Sequence, residues 1–332
     1  MRVGIVGAGS MGNAHAAGWR AAGAEITAVT SLDELAAQRL AGAWGASAVA
    51  DFEALLPQVD VVDLCVPSDL HAQMTIRAAE LGKHVVCEKP IALTVADAEA
   101  MVAACERAGV RLFVAHVVRF FPQYRAAAQA VQAGKLGQLG VLRLRRLSYA
   151  PRRGETSWFA DEARSGGIVL DLMIHDLDYA SWLAGPATQV FAASVKTNDP
   201  SAPCDYVQAT VRFEGGAMAL VEAGWAYPPG LFRTGFDLAG TDGLIEWDSD
   251  STESIHRALH AGGTGAAAEV GLPLTVMAED PYTTEIKHAC DALRHDQPFD
   301  VTPQEATAAL QLGLAVRASL RSGKSVVPAE VT

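Results

Sequence analysis

Two residues four apart, Asp171 and His175, together with Lys89, are the side chains of this 332-residue chain best placed for acid–base chemistry. In the run Gly166-Gly167-Ile168-Val169-Leu170-Asp171-Leu172-Met173-Ile174-His175-Asp176 the spacing predicts a helix. On it the carboxylate and the imidazole share a face, with Cβ atoms about 5–6 Å apart. A carboxylate beside an imidazole fixes its tautomer and raises its basicity, as removal of a hydroxyl proton requires. The stripe continues through Asp178 and Trp182, while Leu170, Ile174 and Leu177 lie on a core-facing side. The double glycine ahead of the helix permits close approach of a ligand. Lys89 stands in Glu88-Lys89-Pro90, at the carboxyl end of a predicted strand. An ammonium there can hydrogen-bond an oxygen and stabilise alkoxide character while hydride leaves the adjoining carbon.

A third pattern concerns binding. Gly7-Ala8-Gly9-Ser10-Met11-Gly12 follows the apolar run Val3-Gly4-Ile5-Val6 and precedes helix-forming residues. In that context the first glycine allows the tight turn and the second lets the backbone approach a pyrophosphate. The third permits close helix–strand packing, and the phosphates sit at the positive end of the helix. Ser10 and Met11 complete the turn as cofactor-binding candidates.

The elements that must position these residues are legible in outline. Up to about residue 118, apolar strands near 2–6, 25–30, 47–50, 60–66, 84–87 and 111–116 alternate with helical patterns. Such alternation means a parallel sheet covered by helices on both faces, a doubly wound α/β domain. Ligands of such sheets lie beyond the carboxyl ends of the strands. Those ends carry Thr30-Ser31, then Val66-Pro67 with His71 shortly after, then Glu88-Lys89, and finally His116 with Arg119. The pattern then changes. A helix near 123–133 is followed by strands near 139–149, 188–197, 204–213, 217–225, 232–239 and 243–247, several separated by turn residues such as Glu214-Gly215-Gly216. Helices near 168–183, 279–295 and 303–321 interrupt them, giving an α+β domain with a largely antiparallel sheet. We place the domains at 1–120 and 121–332. Ala261–Ala268 reads as a loop or frayed edge.

Composition excludes several classes. The net charge of −12 and the absence of a Lys/Arg cluster argue against a nucleic-acid partner. Cys65, Cys87, Cys105, Cys204 and Cys290 are scattered without a CxxC pair, as expected of buried thiols in a reducing compartment. No apolar run reaches bilayer-spanning length, and the first strand begins at Arg2, which leads us to expect no signal peptide and a cytoplasmic protein without a membrane partner. His256, His260, His288 and His295 read as structural or exposed, without metal-ligand partners at suitable spacing. His175-Asp176 alone does not fill a coordination sphere, so a metal-dependent hydrolase is not expected.

Taken together, these pieces resemble the Gfo/Idh/MocA family of NAD(P)-dependent oxidoreductases, named for glucose-fructose oxidoreductase and inositol dehydrogenase. The matching segments are residues 3–9, Pro67 with His71, residues 82–90, Gly137-Gln138-Leu139-Gly140, the run from Gly166 to Asp178, Gly240-Thr241-Asp242-Gly243 and Ser322-Gly323-Lys324. The resemblance implies an N-terminal Rossmann domain and a C-terminal domain whose open sheet binds substrate and commonly mediates homo-oligomerisation as a dimer or tetramer. In the family the last helix often packs on the first domain. It also implies His175 as proton acceptor, Asp171 as its orienting partner and Lys89 as electrostatic helper. Tyr282, in Pro-Tyr-Thr-Thr-Glu, is a pocket candidate, with Trp158, Arg119 and His116 behind it.

One departure bears on the cofactor. Many family members carry an acid after the second strand to bind the ribose hydroxyls, and this chain has Thr30-Ser31-Leu32 there, with Ser31 19 residues beyond Gly12. Without that carboxylate the repulsion excluding a 2′-phosphate is gone, which tilts the expectation toward NADP, although no cation follows immediately. NAD, with Asp33 making the ribose contact, and dual use are the alternatives. The expected activity is hydride transfer between a nicotinamide and a secondary alcohol or ketone of a sugar, inositol or related polyol. The alternatives are a reductase of a non-carbohydrate carbonyl or dihydrodiol, and a non-catalytic dinucleotide-binding sensor, which would have lost Lys89 or His175.

Overall fold

The computed structural model describes residues 1–149, 158, 161–196, 205–228, 230–250, 256–259 and 279–331. It divides into two compact units, one of Met1–Phe120 with Glu279–Thr307 and one of Phe121–Ala278 with Ala308–Thr332. Cys204, His260 and Ala261–Ala268 lie outside the described residues, as does the side chain of His256.

The first unit is built on β1 (Arg2–Val6), β2 (Glu25–Thr30), β3 (Ser47–Ala48), β4 (Val61–Leu64), β5 (His84–Glu88) and β6 (Leu112–Ala115). All pair in parallel, in the order β3-β2-β1-β4-β5-β6. This is the doubly wound order that places a ligand crevice where the chain reverses direction across the sheet, between β1 and β4. β4 is buried along its whole length, because helices cover both faces. The covering helices are α1 (Ser10–Ala21), α2 (Glu34–Trp44), α3 (Phe52–Leu55), α4 (His71–Glu80) and α5 (Val95–Ala108).

The second unit holds α6 (Pro122–Gln132), β7 (Leu139–Leu147), α7 (Glu162–Ser165), α8 (Ile174–Ala184), β8 (Ala187–Val195), β9 (Tyr206–Phe213), β10 (Met218–Gly224), β11 (Arg233–Gly240), β12 (Gly243–Asp248) and β13 (His256–Leu259). Its seven-stranded sheet runs β13-β12-β11-β7-β10-β9-β8. Only the central β7–β10 pair is parallel. Alternation sets the two faces: Leu142, Leu144, Val207, Ala209, Val211, Val221 and Phe236 point inward, while Arg143, Gln208 and Glu246 point to solvent. Arg146 is in phase with Leu142 and Leu144, so this charged residue also points inward and is buried.

Two further helices close the chain, α9 (Pro281–His295) and α10 (Pro303–Ser322). The sequence reading assigned α9 to the second domain, but it packs in the first unit against α1. Gly18 is the reason for the close fit: a Cβ there would stand 2.7 Å from Ile286 Cβ. Helix α10 is shared, with its first turn in the first unit and the remainder in the second. No helix among the described residues is long and apolar enough to cross a membrane.

Candidate active site

The glycine turn is built as its spacing demands. Gly7 adopts φ +102°, open to glycine, and a Cβ on it would meet Cys65 O at 2.1 Å. A Cβ on Gly12 would meet Gly7 O at 1.9 Å, so this glycine lets α1 start directly over the turn. Gly9 differs, because nothing lies within 4 Å of the position its Cβ would take. That open space lies at the N-cap of α1, which has no side-chain cap and no acid in its first turn. By contrast α2, α5 and α9 are capped by Asp33, Thr94 and Asp280. An uncapped helix start with an open glycine fits a phosphate, and so a dinucleotide. Ser10 is exposed and Met11 half-buried beside it.

The strand ends around this turn are tied together. Gly7 N donates to Thr30 O at 2.8 Å and Cys65 N to Val6 O at 2.8 Å, drawing the ends of β2 and β4 onto β1. Val66 and Pro67 are half-buried just beyond β4, as is Ser31 beyond β2. Beyond β5 the Lys89–Pro90 peptide is cis. Lys89 is half-exposed, whereas Glu88 and Pro90 on either side are buried. His71, expected to touch the cofactor, is fully buried with Nδ1 2.8 Å from Pro90 O and Nε2 3.0 Å from Val66 O. Burial holds its pKa below the ordinary histidine value, so the neutral ring donates to one of these carbonyls while sitting between the β4 and β5 exits.

Beneath the turn lies a polar cluster that sequence reasoning missed. His15 of α1 is fully buried, with Nδ1 3.0 Å and 3.1 Å from the two oxygens of Asp63 in β4. Trp19 Nε1 donates to Asp63 Oδ2 at 2.7 Å, and the Cys65 thiol donates toward Oδ1 at 3.5 Å. His15 Nε2 stands 3.1 Å from Glu88 Oε1, at an angle too oblique for a regular hydrogen bond. Glu88 Oε2 in turn accepts from Lys89 N at 3.0 Å. Burial works against charge on His15, but the charges and hydrogen bonds of Asp63 and Cys65 hold its imidazolium well above the ordinary histidine value. Burial likewise opposes ionisation of Glu88, yet His15 and Lys89 hold its carboxyl below the usual glutamate value. Ligating atoms of His15, Asp63 and Cys65 lie within 4.8 Å of one another, a grouping not anticipated from spacing. Both Asp63 oxygens are already taken by donors, which makes this a hydrogen-bonded cluster. The available signal was Asp63 itself, an acid inside an otherwise apolar strand.

Among the pocket candidates of the first unit, His116 is fully buried. Arg119 is also buried, donating to Asp300 O at 3.0 Å and pairing with Glu305 at 3.2 Å, which gives it a structural partner. Tyr282, in the first turn of α9, is half-buried.

In the second unit, the run carrying Asp171 and His175 is not a continuous α-helix. Val169–Met173 forms a π-helical turn that leads into α8. The wider turn keeps residues four and five apart on one side, and such turns recur at functional sites. Gly166 and Gly167 enter it with φ +75° and +67°. From Ile168 to Ala180 every residue is buried except Asp171 and His175, which are half-exposed. Asp178 is therefore core, not a continuation of the stripe. Asp176 is fully buried and accepts from Arg146 Nε at 2.8 Å and Nη2 at 3.1 Å. That pairing removes Asp176 from any metal sphere with His175. Trp158 is half-buried.

Residues 1–116 match a family model described as an oxidoreductase family with an NAD-binding Rossmann fold, and residues 124–246 match the GFO/IDH/MocA C-terminal domain. The chain is 30% identical to the 1,5-anhydro-D-fructose reductase of Ensifer adhaerens over 98% of its length and 97% of the relative's. It is 29% identical to the myo-inositol 2-dehydrogenase of Thermotoga maritima, covering 100% of this chain and 99% of that one. A levoglucosan dehydrogenase solved with NADH and L-sorbose superposes with TM-score 0.89 at 22% identity, covering 98% of each chain, which speaks for the fold.

Proposed function

Because the chain belongs to the Gfo/Idh/MocA family of oxidoreductases, we propose that it moves hydride between a nicotinamide dinucleotide and a secondary alcohol or ketone of a sugar, inositol or related polyol. The observation that carries the reading is the isolation of Asp171 and His175 as the two half-exposed groups of a buried stretch. A carboxylate and an imidazole kept from the core on one helical turn are arranged to take a hydroxyl proton.

The dinucleotide fits the Gly7–Gly12 turn, where Gly9 leaves room for its phosphates and Ser10, Met11 and Gly12 present helix-start amides. When bound, it supplies the carbon that accepts or donates hydride. His175 accepts the hydroxyl proton and Asp171 orients its ring. Lys89, on the stiffened β5 exit, stabilises negative charge on the substrate oxygen. Val66 and Pro67 line the turn beyond β4, and Thr30 and Ser31 close the ribose end.

We assign NADP as the preferred dinucleotide. Ser31 offers a hydroxyl where an acid would repel a 2′-phosphate, and Asp33 has one carboxylate oxygen engaged by Ala36 N as the cap of α2. The four free cysteines among the described residues suit a reducing cytoplasm. The open sheet with Phe191 and Val195 exposed on its β8 edge suits a homo-oligomer. The test is titration with NADH and NADPH, followed by a panel of ketoses, inososes and 1,5-anhydro-D-fructose. Binding without turnover on any carbonyl of the panel would favour the sensor reading.

A further inference from the structure

The polar cluster under the glycine turn has a direction. Trp19 can only donate, so Asp63 accepts from it and from His15. His15 then presents its second nitrogen to Glu88, and Glu88 presents its other oxygen to the Lys89 amide. We propose that His15 is a positioning residue for Lys89: bridging Asp63 and Glu88, it fixes the Glu88 carboxylate against the Lys89 amide and so sets where the Lys89 ammonium stands. This rests on the assignment of Lys89 to the reaction made above.

Three observations support it. First, His15, Asp63 and Glu88 come from α1, β4 and β5, so the bridge joins the glycine turn to the β5 exit through the interior of the sheet. Second, two buried carboxylates are costly unless a cation or donors lie between them, and His15 is the group standing between these two. The groups facing it are Asp63 and Cys65 from the β4 side and Glu88 from the β5 side, with Lys89 acting on Glu88 in turn. Third, the other flank of Lys89 is packed independently, because the buried His71 ring stands with Nδ1 2.8 Å from Pro90 O. With both flanks held, the backbone from which the half-exposed Lys89 side chain leaves is fixed in place.

The bridge predicts a specific loss. Without His15, Glu88 Oε1 loses the imidazole standing 3.1 Å from it, and the carboxylate either takes up a proton or turns away, releasing the Lys89 amide. A purely structural role would lower stability and leave the Lys89 ammonium where it was.

The test reads Lys89 without turnover. The protein is reductively methylated with 13C-formaldehyde, and the Lys89 signal, identified by its loss in Lys89→Arg, is titrated in wild type, His15→Gln, Glu88→Gln and the double variant. The result expected is a shift of the Lys89 midpoint in both single variants, with no further shift in the double. Leu40→Ala, a buried α2 substitution, serves as the destabilised control and leaves that midpoint alone. On an identified ketone substrate, His15→Gln lowers kcat roughly tenfold or more while the KM for dinucleotide stays within about twofold. If His15→Gln does not fold, His15→Asn takes its place, because Glu88→Gln also moves the Lys89 midpoint through loss of its own charge. An unchanged Lys89 midpoint in a folded His15→Gln or Glu88→Gln protein overturns the proposal. Full activity of Lys89→Met would overturn the role of Lys89 in the reaction and leave the titration result standing.

Discussion

Arg146 donates to both carboxylate oxygens of Asp176, from Nε at 2.8 Å and from Nη2 at 3.1 Å, with both side chains withdrawn from solvent. The relationship separates two adjacent residues, His175 and Asp176, by environment. His175 is half-exposed, whereas Asp176 is buried and paired with Arg146 of β7. Tyr124 stacks edge-on against Tyr179 and Phe236 in the same layer, and Tyr179 Oη donates to Tyr124 O at 2.9 Å.

Breaking that pair from one side strands a buried charge. Arg146→Ala or Asp176→Ala is expected to cost roughly 3–5 kcal/mol of stability, whereas Arg146→Met combined with Asp176→Leu recovers most of it. Calorimetric melting of the four proteins checks this. A wild-type melting temperature in Asp176→Ala would show that the pair does not hold the second unit together.

The three glycines of the turn answer differently to a methyl group. Gly12→Ala sets a Cβ 1.9 Å from Gly7 O, so the turn must open and stability falls. Gly9→Ala meets no protein atom within 4 Å, so stability should change by less than about 0.5 kcal/mol. Its expected effect is on dinucleotide binding, weakened at least about tenfold, or about 1.4 kcal/mol, through crowding of the phosphate. Melting curves alongside NADPH titration separate the two; equal NADPH affinity in Gly9→Ala would place the phosphates elsewhere.

The buried cluster gives stability a dependence on pH whose sign can be worked out. His15 has a folded pKa raised well above 6.5, so the folded state binds more protons than the unfolded one above that pH. Its stabilisation is complete below about 6.5 and is lost as pH rises toward its folded value. The Cys65 and Cys87 thiols, pushed up mainly by burial, add a second loss in the same direction, starting near their ordinary value of 9.0. Melting temperature should therefore fall on the alkaline side in two stages. His15→Gln should flatten the first stage, measured between pH 6.5 and 9; an identical slope in wild type and variant would mean His15 is not held protonated.

Placing an acid at position 31 should move cofactor choice toward NAD. Ser31→Asp restores like-charge repulsion toward a 2′-phosphate and an acceptor for the ribose hydroxyls, so the NADPH-to-NADH affinity ratio should fall by about tenfold or more. Isothermal titration with both dinucleotides decides it. A ratio already favouring NADH in the wild type would assign the ribose contact to Asp33.

Much of the frame was readable from the sequence because it depends on local rules. The Gly7–Gly12 turn, the buried and largely apolar β4 and the alternation along β9 each declare themselves within a few residues. What escaped depends on distant partners. Nothing near Arg146 tells that its guanidinium reaches a carboxylate 30 residues on, or that α9 returns to pack on Gly18. The π-helical turn at Val169–Met173 was also hidden, since the i,i+4 spacing of Asp171 and His175 is equally compatible with an ordinary helix. His15 was passed over because a histidine in an amphipathic helix looks unremarkable until Asp63 and Glu88 are seen on either side of its ring.

The central claim is hydride transfer assisted by Lys89 and His175, and isotope transfer tests it most directly. The protein is incubated with [4-2H]NADPH or [4-2H]NADH and a panel of ketoses and inososes, and deuterium is located in the product by mass spectrometry. The account predicts deuterium on the carbinol carbon of at least one polyol product. It also predicts a rate loss of about 10²- to 10⁴-fold in Lys89→Met and His175→Ala proteins that still bind the dinucleotide. Near-wild-type transfer in both variants would contradict it.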